Sequence, residues 1–247
     1  MRTLNEILNG EDINSFHMRG MVDPAFWIER VFGYYIKPCH KEWIDLWYKY
    51  DRVCIVAPTG FGKTCIFGIA IPLWILFYKP KEEVLVISKI MDHATKLLER
   101  IKDNILNNEL LKRLEPEEKF KVTWTKTKIE TSNGSRVFCR PYTESIKGFH
   151  INYVLCDELS SYVDHDIFFR YVLTRVTAEK GKLAAITTPE SGVDLAHKLL
   201  DNKQFVTKFY PAIKMKKFEG RNGFDSPIYR NMEYGESIFP EIYSKGV

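Results

Sequence analysis

At 247 residues, with 45% apolar and 28% charged residues, the chain has the make-up of a soluble globular protein and the length to bury a full core in one large domain. A net charge of +4 permits contact with nucleic acid without requiring it. Five scattered cysteines, Cys39, Cys54, Cys65, Cys139 and Cys156, include no Cys-x-x-Cys pair, which speaks against a metal cluster or disulfide frame and for a reducing compartment.

In chain order, residues 1–22 read as a loosely held amphipathic arm whose opening, MRTLNEILNGED, has no signal-peptide character. Asp23-Pro24 supplies an N-cap and a proline at the first helical position, and AFWIERVFGYY continues at helical spacing to Gly33. In IKPCHKEWIDLWYKY, Trp43, Leu46, Trp47 and Tyr50 fall at i, i+3, i+4 and i+7, the pattern of an amphipathic helix with its aromatic stripe in the core. A β-branched strand and a glycine loop follow. They lead into the longest apolar run, residues 65–78, which is too short to cross a bilayer and is interrupted by Pro72.

Residues 84–88 (VLVIS) predict a strand buried on both faces and 92–106 a helix, an alternation that implies a parallel sheet with right-handed crossovers. FKVTWTKTKIETSNGSRVFCRP breaks the rhythm. Its alternation and its Asn133-Gly134 pair predict an antiparallel hairpin leading into a core strand. Strands at 153–156 and 183–187 follow, with a helix around 167–176 between them and a further strand at 205–210. The expected fold is α/β: a P-loop NTPase (ASCE/RecA-like) with a central, mainly parallel sheet flanked by helices, plus an antiparallel hairpin.

Chemistry concentrates at three strand ends. VCIVAPTGFGKT, residues 53–64, matches A-x-x-x-x-G-K-T from Ala57 onward, between a strand and a helix as a P-loop requires. Gly60 and Gly62 let backbone amides turn inward around phosphate, with Thr59 and Phe61 between and before them. The new helix adds unpaired N–H groups and a partial positive charge. Lys63 supplies a cation for the β/γ-phosphates and Thr64 a hydroxyl for Mg²⁺, so ATP and Mg²⁺ are the expected cofactors. In YVLCDE, an apolar strand ends in Asp157, a candidate Mg²⁺ ligand, and Glu158, a candidate for polarising the attacking water. The strand ending in Thr187 and Thr188 brings hydroxyls that can register the γ-phosphate, or it simply opens a turn.

With these pieces in place, the chain from about Pro24 onward resembles the ATPase domain of large terminase subunits, motors that package viral double-stranded DNA. The resemblance rests on DPAFWIERVFGYYIKPCHKEW, the P-loop, Lys147-Gly148, Asp157-Glu158, Thr187-Thr188-Pro189 and GESIFPEIYS. It implies Lys63 and Glu158 as catalytic groups, Thr64 and Asp157 at the metal, and Thr187 and Thr188 as a coupling element. It also implies His40 near the adenine, where the family often has glutamine, and Lys147 in place of a trans-acting arginine, with Arg140 and Arg175 as fallbacks.

The implied layout is an arm at 1–22, a P-loop ATPase domain at 23–235, and at 236–247 the start of a linker toward a nuclease domain absent from this chain. The implied partners are double-stranded DNA, a capsid portal and a small terminase subunit, with no membrane. Assembly would be a homo-oligomeric ring when active or a monomer in isolation, in the host cell cytoplasm. A DExx-type helicase motor and a nucleotide-gated assembly module with negligible turnover are the competing readings.

Overall fold

The computed structural model describes residues 2–117, 124–146, 151–188 and 194–210. Helices α1 (Leu4–Leu8), α2 (Ile13–Val22), α3 (Pro24–Phe32) and α4 (Pro38–Lys49) lead into strand β1 (Arg52–Val56). Helix α5 runs as Lys63–Cys65, Ile66–Ala70 and Ile71–Tyr78, followed by β2 (Glu83–Ser88) and α6 (Met91–Leu106). The hairpin β3 (Lys128–Glu130) and β4 (Arg136–Pro141) precedes β5 (Tyr153–Asp157). Helix α7 runs as His165–Ile167, Phe168–Val172 and Leu173–Ala178, and β6 (Lys182–Thr187), α8 (Leu195–Leu200) and β7 (Val206–Phe209) complete the described fold.

The strands make one seven-stranded sheet in the order β3-β4-β2-β5-β6-β1-β7, parallel throughout except for the β3–β4 pair. Side chains alternate across it with the period of two that strands impose. Val53, Ile55, Val84, Val86, Ala184 and Ile186 enter the larger core beneath α1–α6. Cys54, Val56, Leu85, Ile87, Leu183 and Ala185 enter the smaller one beneath α7 and α8. The hairpin forms where expected, with Gly134 at φ +82° in its turn, and β4 continues from it to pair parallel with β2.

Three local findings refine the expectations. Residues 4–22 are not a loose arm: Ile7 and Phe16 are both 0% exposed. Arg30 Nε donates to Ile7 O at 2.8 Å and Trp74 Nε1 to Gly20 O at 2.8 Å, so buried polar groups as well as apolar ones dock α1 and α2. Pro72 does not end α5. Lacking an N–H, it is accommodated by a wider turn upstream, in which Ile71 N donates five residues back to Ile66 O. Trp43 and Trp47 fill the core as their spacing predicts, but Tyr50 lies at the C-cap of α4, 37% exposed.

Candidate nucleotide site

All parallel strands present their carboxyl ends to one edge, and β6 lies between β1 and β5, so three tips meet there. The loop leaving β1 turns with Gly60 at φ +79° and Gly62 at φ +82°, a region that side-chain-bearing residues avoid. Residues 59–65, Asp157, Glu158, Thr187 and Thr188 line a cavity of about 260 Å³.

Lys63 is only 9% exposed. Its ammonium donates to Ala57 O at 2.5 Å, Pro58 O at 2.9 Å and Thr188 Oγ1 at 3.1 Å. Burial lowers its pKa to about 8, against the opposing pull of Asp157 and Glu158. Across the cavity, Thr64 Oγ1 donates to Asp157 Oδ1 at 3.2 Å. Desolvation, helped by the neighbouring Glu158 charge, raises Asp157 to about 6, while the Thr64 hydrogen bond and Lys63 hold it down. A half-buried carboxylate and a hydroxyl on each other, close to a cation, are hard oxygen donors of the kind Mg²⁺ takes.

Glu158 has an exposed side chain on a left-handed backbone, φ 56° and ψ 46°. Its Oε2 lies 3.6 Å from Nδ1 of His93, in the first turn of α6. The two threonines at the end of β6, Thr187 in the strand and Thr188 just past it, diverge. Thr188 Oγ1 meets Lys63 and, at 3.4 Å, Thr59 Oγ1. Thr187 is 2% exposed, and its hydroxyl accepts from Ser160 N at 2.9 Å.

His40 sits beneath the loop. Its Nδ1 accepts from Lys37 N at 3.3 Å, which assigns the proton to Nε2, and Nε2 donates to Phe61 O at 2.9 Å. Both ring nitrogens therefore serve the main chain. On the β7 side of the loop, Tyr35, Lys37, Pro38, Cys39, Glu42, Lys208, Phe209 and Tyr210 line a second cavity of about 560 Å³.

Lys147 lies outside the described residues, as do Gly148, Pro189 and GESIFPEIYS. Arg140, on β4, donates to Cys139 O at 2.8 Å, and Arg175 lies on α7; neither lines the 260 Å³ cavity. Sequence reasoning missed His93 and Ser160. Ser160 carried a faint signal, being two residues past the carboxylate pair, and His93 carried none.

A strand inserted between the P-loop strand and the strand bearing paired carboxylates defines an ASCE-class P-loop ATPase. The sequence profile of the terminase large subunit N-terminal family, T4-like-virus type, matches residues 54–245. The chain belongs to that family, the ATPase domain of phage DNA-packaging motors, which sets aside the helicase reading. A comparison with curated proteins gives no match. Among solved structures it is similar to the large terminase ATPase domain of Thermus phage P74-26, at 14% identity and TM-score 0.57, covering 84% of this chain and 95% of that one. It is also similar to the HK97 bacteriophage large terminase, at 16% identity and TM-score 0.59, covering 82% of this chain and 47% of that one. A third similar structure is the large terminase of a thermophilic bacteriophage in complex with ATP-gamma-S, at 12% identity and TM-score 0.51, covering 74% and 46%.

Proposed function

We propose that the three strand tips hold one ATP and that its hydrolysis drives double-stranded DNA through a ring of these subunits. The observation that carries this reading is the single cavity shared by Lys63, the Thr64–Asp157 pair, Glu158 and Thr188. The solved relative in complex with ATP-gamma-S supports the choice of nucleotide.

Lys63 exchanges its carbonyl partners for the β/γ-phosphates, a trade that a buried cation favours because an anion compensates its burial better than neutral dipoles do. The amides of 59–64 and the start of α5 supply further donors. Thr64 and Asp157 are the residues that would hold Mg²⁺, which when bound neutralises phosphate charge. Glu158 accepts a hydrogen bond from the attacking water and orients it. The base fits the 560 Å³ cavity, where Tyr35, 77% exposed, offers a ring face. His40 then acts by holding Phe61 and the loop.

A basic residue from a neighbouring subunit completes the site, Lys147 first and Arg140 or Arg175 as alternatives. A capsid portal and a small terminase subunit are the partners this reading assigns, in the host cell cytoplasm. The motor spans 23–235, with 236–247 leading toward a nuclease domain; the packing of α1 and α2 adds residues 4–22 to the same body.

The test is ATP turnover as a function of protein concentration, in the parent chain and in Glu158→Gln. The expected result is turnover that rises with concentration in the parent and falls by about 10²–10⁴ in the variant, with nucleotide binding retained. Turnover unchanged in Glu158→Gln contradicts the assignment. Tight binding with no turnover at any concentration supports the assembly module instead.

A further inference from the structure

Because β6 separates β1 from β5, its tip is flanked by both the phosphate loop and the carboxylate pair. Thr187 occupies that tip. Its carbonyl oxygen accepts from Ala57 N at 3.0 Å, which ties it to the first residue of the loop. Its hydroxyl turns the other way, accepting from Ser160 N at 2.9 Å and donating to Thr188 O at 3.1 Å. Ser160 belongs to the single helical turn Leu159–Ser161, which begins directly after Glu158.

The amides that open a helical turn have no partner inside it, so an outside acceptor fixes where the turn sits. Here that acceptor is a side chain from another strand. Glu158 feeds the turn from the left-handed region, a conformation that a residue with a Cβ keeps only when its surroundings impose it. Other restraints on the turn include Ser161, whose N and Oγ donate to Glu158 O at 2.9 and 2.7 Å, the fully buried Leu159, and His93, whose Nδ1 lies 3.6 Å from the Glu158 carboxylate.

We propose that Thr187 is a positioning residue for Glu158. Its hydroxyl on the Ser160 amide holds the left-handed turn that keeps the carboxylate on the cavity, and its bond to Thr188, whose own hydroxyl meets Lys63, links that aim to the phosphate side. This rests on the reading of Glu158 as the catalytic carboxylate. It gives two adjacent threonines different work: Thr188 faces the phosphate loop and Thr187 faces the carboxylate turn.

The test uses the 247-residue chain. Thr187→Val keeps the side-chain shape and removes the hydroxyl, and Thr187→Ser keeps the hydroxyl and removes the methyl. Thr187→Ala forms with Thr187→Ser a pair differing in the hydroxyl alone, which carries the test should valine prevent folding. The expected result is a kcat about tenfold or more lower in Val and Ala and within about threefold of the parent in Ser. KM and the Kd of a fluorescent ATP analogue stay within about twofold in all three.

An unchanged kcat in Thr187→Val overturns the proposal. So does an equal loss in Ser and Ala, which would mark the methyl as the active part, and so does a loss carried by Kd, which would place the effect in the phosphate loop. Turnover unchanged in Glu158→Gln overturns this proposal and the underlying reading together. Glu158→Gln inactive with Thr187→Val normal overturns this proposal alone.

Discussion

Where α3, α4 and α5 lie on the sheet, Trp27, Trp43, Trp47, Trp74 and Phe77 are each at most 4% exposed and each meets a neighbouring ring, as in the Trp47–Trp74 pair at 5.8 Å and 90° and the Trp43–Tyr210 pair at 5.4 Å. At the carboxyl rim, the buried groups are an ammonium and hydroxyls beside a half-buried carboxylate, and a non-glycine residue stands in the left-handed region. The wall gains stability by removing apolar area from water. The rim loses stability by desolvating charge and holding strain, and gains a pocket whose charges are strengthened by their dry surroundings. Stability and chemistry are therefore carried by different residues, and substitutions on the two sides should move different observables.

The largest expected effect lies at the rim. Lys63→Ala should lower ATP turnover by about 10³–10⁵, since a cation on the transferring phosphate is worth that much, without lowering stability to denaturant, because the ammonium it removes is one whose burial disfavours its charged form. A large loss of stability with retained turnover would reverse the contrast. The wall gives the complementary case. Trp27→Ala should cost about 3–5 kcal/mol in urea unfolding, because it leaves a cavity among rings that cannot collapse onto it. Measured well below its midpoint, its turnover per folded molecule should stay within about threefold of the parent.

Asp157 offers a sharper version through pH. Its folded pKa of about 6 stands above its ordinary 3.8. The folded state therefore binds the proton more tightly, and stability from this group falls as pH rises from about 4 to 6. In nucleotide-free protein, Asp157→Asn, which keeps an acceptor for Thr64, should match the parent below that window. Above it the variant should be more stable by on the order of 3 kcal/mol. A constant difference across the window would remove desolvation as the cause. The smallest effect is at the N-terminus, where the Thr3 hydroxyl accepts from Glu6 N at 3.3 Å and the Glu6 carboxylate accepts from Thr3 N at 2.8 Å. Thr3→Ala should cost about 1 kcal/mol and speed amide exchange in α1 without touching turnover.

Much of the rim was legible in the sequence because its chemistry is local. Gly60, Gly62, Lys63 and Thr64 are dictated within one loop, and Asp157-Glu158 at the end of an apolar run marks a strand tip. The helix starts at Asp23-Pro24 and the Asn133-Gly134 hairpin were legible for the same reason. What escaped depends on contacts distant in sequence. The pairing of β4 with β2, and the place of β6 between β1 and β5, leave no trace in any one segment. The docking of α1 and α2 could not be read because the apolar residues of two short helices, Leu4, Ile7, Leu8 and Phe16, do not say what they meet, and partners such as Arg30 and Trp74 lie far along the chain. His40 was placed by analogy at the base. Its bond to Phe61 O, 21 residues on, could come only from coordinates. The opposite facing of Thr187 and Thr188 was equally invisible, since adjacent residues of one type look interchangeable until the strand's alternation separates them.

The central claim, that three strand tips act on one triphosphate, is tested most directly by a crystal structure of this chain with ATP-gamma-S and Mn²⁺, the metal located by its anomalous scattering. The account predicts the terminal phosphate on Lys63 Nζ and the metal held, directly or through water, by Thr64 Oγ1 and Asp157. Nucleotide bound away from Lys63, or a metal peak away from both oxygens, would contradict it.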